Sequence, residues 1–201
     1  MATSRRSGRR AGASGTREAI LAAASALFAE RGYEATTIRA VAAQAGVDPA
    51  LVHHFHGSKE ALFAAATRLP YNPAEVIPTL LAQGLEGAGE RIVRFLVTTW
   101  DDEARRAPLL GLMRSALTHD PAGGAITEFV RAGVLGPLTR ALEGPDAGLR
   151  ASLVLSQVAG LAVARWLVGV EPLASAPPDV VAAALGPTIQ RYLTGPLKEA
   201  P

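Results

Sequence analysis

The chain has 201 residues, 49% of them hydrophobic and 19% charged, and it contains no cysteine. That composition describes a core-forming globular protein of one large domain or two smaller ones, and the lack of cysteine excludes disulfides and thiolate metal or redox chemistry. Residues 1–74 carry nine Lys/Arg against five Asp/Glu and residues 75–201 eleven against thirteen, so one basic end suited to a polyanion sits on a slightly acidic body.

In chain order, residues 1–15 are Ser, Gly, Ala and Arg without periodicity and read as a disordered basic tail. Arg5, Arg6, Arg9 and Arg10 are a candidate arm for phosphates or a minor groove; the alternative is a solvated tail. No apolar h-region follows this basic start. No apolar run reaches the roughly 18 residues of a spanning helix. The expected compartment is the cytoplasm, with no membrane partner.

A first helix is expected over 16–31, with Ile20, Ala23, Ala24, Leu27 and Phe28 as its core stripe. Gly32 stops it, and Tyr33 packs beneath the next two helices. Thr37 is a good N-cap, and Ile38, Val41, Ala42 and Ala45 recur at helical spacing. Gly46 reads as a C′ glycine and Val47 as a plug in the turn. Asp48 caps the next helix with Pro49 at its first position. Two short helices joined by a glycine turn, the second with polar side chains outward, form the helix-turn-helix that reads a DNA major groove.

Ser58 caps a fourth helix with Ala61, Leu62, Ala65 and Ala66 on its inner face, and Pro70 and Pro73 mark a domain boundary. Beyond it the pattern is helical throughout, with helices expected near 74–85, 89–105, 108–118, 124–142, 147–168 and 178–193. No sustained period-two strand pattern occurs. The expected domains are thus a tail at 1–15, a helix-turn-helix domain at 16–73 and a helical domain at 74–201, in an all-α protein.

The stretches T-R-E-A-I-L-A-A-A-S-A-L-F-A-E-R-G-Y-E-A-T-T and T-I-R-A-V-A-A-Q-A-G-V, followed by S-K-E-A-L-F, resemble the N-terminal domain of TetR-type bacterial repressors, over roughly residues 16–63. Aligned without a gap, His53 stands where that family usually has Tyr, and His56 where it usually has Phe. The resemblance implies a homodimeric regulator that binds a double-stranded DNA operator. Carried over by position, it places Asp48, Pro49, Ala50, Leu51, His53 and His54 toward DNA, with Arg39 from the preceding helix. The fork of Arg39 suits the O6/N7 edge of guanine, and Ala50 and Leu51 suit a thymine methyl. Thr37 and Lys59 are expected at phosphates, which position without specifying sequence.

The same resemblance implies a second domain for ligand sensing and dimerisation. Candidate liners of a small-molecule pocket are Trp100, Leu110, Met113, Phe129 and Trp166, with His119 and Arg165 as further candidates; for each, ordinary core is the competing reading. The effector itself is unknown. Dimer contacts are expected through the helices near 124–142 and 147–168. On the latter, Ala151, Ser152, Leu155, Ser156, Ala159, Gly160, Val163 and Ala164 make a small-residue face, which lets helices approach closely.

No cofactor is expected. His53, His54 and His56 lack the third or fourth ligand a metal site needs, and His119-Asp120 has no nucleophile elbow or phosphate loop beside it. Two alternatives remain: a helix-turn-helix adaptor without a small-molecule ligand, and an all-helical enzyme.

Overall fold

The computed structural model describes residues 8–117 and 127–197, with side chains at 14–114 and 127–197. Helix α1 spans Gly8–Ala35. It starts eight residues before the expected Thr16, so 8–15 is helical rather than a disordered tail. Extending a helix past a well-packed segment adds one bond per residue fixed and needs no new nucleus, and Ser14 Oγ donates to Glu18 Oε1 at 3.0 Å within this stretch. Residues 1–7, with Arg5 and Arg6, and the side chains of Arg9 and Arg10 lie outside what is described.

Gly32 breaks α1 with φ 76° and ψ 178°. The buried Thr36 hydroxyl fixes that corner, 2.7 Å from Gly32 O and 3.1 Å from Leu27 O. Helices α2 (Ile38–Ala45), α3 (Pro49–His56) and α4 (Lys59–Ala66) come next. Their starts are capped as the sequence predicts: Thr37 Oγ1 accepts from Ala40 N–H, Asp48 Oδ1 from Ala50 N–H and Ser58 Oγ from Ala61 N–H. Gly46 takes the left-handed conformation, φ 67°. The first core joins Ile20, Ala24, Leu27, Phe28, Tyr33, Val41, Val52 and Leu62 with Phe63. Phe63 and Ala64 are buried in α4, whereas Ala61, Ala65 and Ala66 are only half-buried.

The second unit holds α5 (Pro73–Leu81), α6 (Ala88–Trp100) and α7 (Glu103–Leu117). Helix α8, 127–141, contains a π-wound turn at Arg131–Leu135, and α9, Ala147–Val168, ends in another at Val163–Val168. Helix α10 is Pro178–Thr194. Helix α6 stops at Trp100 rather than 105, and α7 starts before Pro108 instead of at it. The second core gathers Val93, Val97, Leu138, Ala151, Val154, Leu161, Val181, Ile189 and Leu193. No strand occurs among the described residues.

On α8, Phe129 and Leu138 are 3% exposed and pack within their own chain. The small-residue face of α9 is split. Ala151 is buried, while Ser152, Ser156, Ala159, Gly160 and Val163 face out, and the outward face continues onto α10 at Val180, Ala183, Ala184 and Pro187. Helix α9 is also long and apolar enough, by length and composition, to cross a membrane, although Arg150 and Arg165 interrupt any wholly apolar run. Only 28% of its most apolar window is buried within the chain.

Candidate DNA-binding surface and internal cavity

Thr37 and Arg39 at the start of α2, and Asp48, Pro49, Ala50, Leu51, His53 and His54 on α3, are all exposed. Val52 is fully buried beneath them. Leu51 is a large apolar side chain left 39% exposed. Eight of the nine residues expected at DNA are thus exposed, and Lys59 is half-buried. Its ammonium donates to Glu34 O at 3.2 Å and sits 4.3 Å above the Tyr33 ring. Burial lowers the Lys59 pKa, against the opposing pull of Glu34 and Glu60.

His53 and His56 part company at the end of α3. His53 Nδ1 lies 2.9 Å from Gly57 O, which holds the ring across the helix terminus and leaves it exposed. His56 is buried, and its Nε2 has no hydrogen-bond partner. Burial first, and the charge of Arg17 second, push its pKa down, so the ring is neutral at pH 7. It stands where the gapless alignment places Phe.

Between α5, α6, α7, α8 and α9 lies a cavity of about 260 Å³. Trp100, Met113, Phe129 and Trp166 line it as expected; Leu110 does not. The wall of α7 is Leu109, Leu112 and Met113, an i, i+3, i+4 set, and Leu110 falls off that stripe. Arg165 is not a liner either. It is 5% exposed, paired with Asp101 through two contacts of 2.9 Å. Burial raises the Asp101 pKa, but hydrogen bonds from Arg165 and Trp166 outweigh it and hold the carboxyl below its usual range. His119 lies outside the described residues.

Sequence reasoning missed Tyr71, whose hydroxyl accepts from Trp100 Nε1–H at 3.0 Å at the cavity wall. It also missed how Phe129 is used. Besides lining the cavity, its ring lies 4.6 Å from Phe63 and 6.1 Å from Tyr33, inside the core of the helix-turn-helix unit. Leu69 and Leu112 likewise line the cavity and pack on that core.

A capped helix-turn-helix carried on a helical body with a partly open apolar cavity is the architecture of a DNA-binding transcriptional regulator. Residues 20–66 match the family model for bacterial regulatory proteins of the tetR family, and residues 86–193 match the tetracyclin repressor-like C-terminal domain. The second match alone spans more than half of the chain, and the chain belongs to the TetR family. A crystal structure of a TetR-family regulator from Streptomyces coelicolor A3 is 43% identical, with 95% of this chain and 99% of that one covered and a TM-score of 0.54. A TetR-family regulator structure from Mesorhizobium loti MAFF303099, 17% identical, covers 90% and 96% with a TM-score of 0.52, and shares the fold. The HTH-type transcriptional regulator BetI of Rhizobium meliloti (strain 1021) is 44% identical over 52 residues, 26% of each chain. These matches point to a DNA-binding regulator rather than an enzyme.

Proposed function

We propose that this regulator is a homodimeric repressor that leaves a palindromic operator when a small molecule enters the cavity. The observation that carries the ligand response is the double membership of Phe129. The same ring is a wall of the cavity and a part of the core under α4, so a ligand that moves it acts directly on the DNA-binding unit. Such a ligand must bind the two arrangements unequally, or it shifts nothing.

Each subunit presents α3 to one major groove, with Ala50, Leu51, His53 and His54 toward base edges and backbone, Asp48 and Pro49 at the helix start, and Arg39 reading from α2. Thr37 anchors a flanking phosphate, and Lys59 reaches one only on leaving Glu34 O, to which its ammonium donates at 3.2 Å. A two-fold operator calls for a two-fold protein. The outward small and apolar faces of α9 and α10 suit a second copy, making four helices across the interface.

Duplexes selected from a random pool by the purified protein should converge on two inverted half-sites. Gly160→Trp tests the dimer directly, because a Cβ at Gly160 meets nothing within 4 Å of its own chain. The variant should keep its helix content, scatter light as a single chain and lose operator affinity. A Gly160→Trp dimer that binds the operator normally would overturn this interface, and a single asymmetric half-site would overturn the two-fold reading.

A further inference from the structure

The side chains lining the cavity restrict what can enter it. All are apolar except for the polar atoms of one tyrosine and two tryptophans; none of the liners carries a charge, an amide or an aliphatic hydroxyl. An ion entering this space would give up its water and gain no partner, a penalty of several kcal/mol. Carboxylates, ammonium groups and phosphorylated compounds are therefore disfavoured.

The three polar atoms are not equally available. Trp166 Nε1–H donates to Asp101 Oδ1 at 2.9 Å. Trp100 Nε1–H donates to the Tyr71 hydroxyl at 3.0 Å. The Tyr71 oxygen is thus an acceptor already in use, while its own O–H has no acceptor among the described residues. A phenol that accepts one hydrogen bond is polarised and donates a better one. Burial pushes the phenol's pKa up, so the proton stays on. The ring is fixed edge-on between Phe95, 4.9 Å away, and Trp100, 5.5 Å away.

Size gives the last constraint. A dry apolar cavity of about 150 Å³ takes up benzene, and 260 Å³ is less than twice that. Scaling benzene's six non-hydrogen atoms by that ratio gives a guest of about ten, the size of a fused bicycle, and because the cavity is partly open a short substituent can project from it. The aromatic rings in the wall favour a guest that is itself a ring system, through offset and edge contacts.

We propose that the cavity takes an uncharged ring compound of about bicyclic size carrying one hydrogen-bond acceptor, and that Tyr71 donates to that acceptor. This rests on the reading of the cavity as the effector site, and it adds the class of molecule and the residue that selects it.

Three probes of one skeleton separate the contributions: 2-acetylnaphthalene, 2-ethylnaphthalene and 2-naphthoate. Calorimetric titration of the full chain without DNA should rank the ketone first, the hydrocarbon second and the carboxylate last. In Tyr71→Phe the ketone should lose roughly five- to tenfold in affinity, as loss of one neutral hydrogen bond gives, while the hydrocarbon is unchanged. The ratio of the two on the same variant cancels any general loosening of the wall. Naphthoate binding as well as the ketone, a ratio unmoved by Tyr71→Phe, or no binding of any probe at its solubility limit would each overturn the proposal. Operator affinity is then measured with the ketone present. A ketone that binds through Tyr71 yet leaves operator affinity unchanged supports this assignment and sinks the ligand-responsive repressor instead.

Discussion

His56 closes α3 with a buried ring nitrogen that has no hydrogen-bond partner among the described residues. An unsatisfied buried polar atom costs about 1–3 kcal/mol, and a charged ring there would cost more. Burial and Arg17 lower the pKa in the folded chain, so the unfolded chain takes up the proton first. Stability is therefore full above the ordinary histidine value near 6.5 and falls as pH drops through it toward the folded value. His56→Phe keeps a ring and removes the nitrogen. Its thermal midpoint should fall less between pH 7.5 and 5.5 than that of the parent, and parallel pH profiles would refute the assignment. On the same unit, Arg39→Ala should cost about 1–3 kcal/mol at one base pair and relax preference there, as loss of a bidentate base contact does. A base-substitution scan of the operator checks this; uniform weakening across all sequences would make Arg39 a phosphate contact. Sequence was most legible at this scale where the signal is local. The caps at Thr37, Asp48 and Ser58 each bond within three residues of themselves. Tyr71 was illegible for the opposite reason, since its role depends on Trp100, 29 positions further along.

Between elements, the tightest contact joins α6 and α10 with backbone against backbone. A Cβ on Gly186 would lie 2.8 Å from Glu90 Cα, and one on Gly89 would lie 2.6 Å from Gln190 N. Gln190 locks the crossing by accepting from Gly89 N–H and donating to Leu85 O, each at 3.0 Å. Gly186→Ala forces the two helices apart, because backbone atoms cannot step aside as a side-chain tip does. Overpacking of this kind costs about 1–3 kcal/mol, a fall in Tm of roughly 3–10 °C for a chain of this length. Gly111→Ala in α7 is the control. Its Cβ meets nothing within 4 Å, and alanine's better helix propensity should leave Tm level or raise it, by up to about 1 kcal/mol. Equal melting of the two variants would show that the crossing is slack. The existence of the helices was readable from periodicity, but their pairing was not. Glycine at 89 reads as a helix start and at 186 as a mere weak point, and only the crossing makes them partners. The wall of α7 failed by register for a similar cause: Leu109, Leu110 and Leu112 are alike in composition, and which of them faces the cavity depends on where a neighbouring helix lies.

For the whole molecule, the sequence leads one to expect a head and a body parted at Pro70–Pro73, and the two packed cores meet across that division. The core of the head is finished by a residue from the body, Phe129, packed against Phe63 and Tyr33. Nothing in the local pattern around Phe129 announces this, because an aromatic in a helix reads as core without saying whose core. Tyr33 in turn donates to Glu60 at the start of α4 and lies beneath Lys59. A displaced Phe129 ring therefore reaches the first turn of α4 through a single intermediate. The exposed ion pair of Arg131 with Glu34, at 3.4 Å, also crosses between the two units, but exposed pairs contribute about 0–1 kcal/mol and are screened by salt. Coupling is thus expected to run through packing. Phe129→Leu keeps an apolar side chain of reduced reach, so folding and operator binding should survive. Binding of the cavity probe should change modestly, whereas the factor by which that probe weakens operator binding should fall toward one. Operator titrations of the parent and the variant, each with and without saturating 2-acetylnaphthalene, measure that factor directly, and linkage requires that DNA weaken the probe by the same amount. If the variant releases DNA as fully as the parent while binding the probe equally well, the signal does not pass through the Phe129–Phe63 contact.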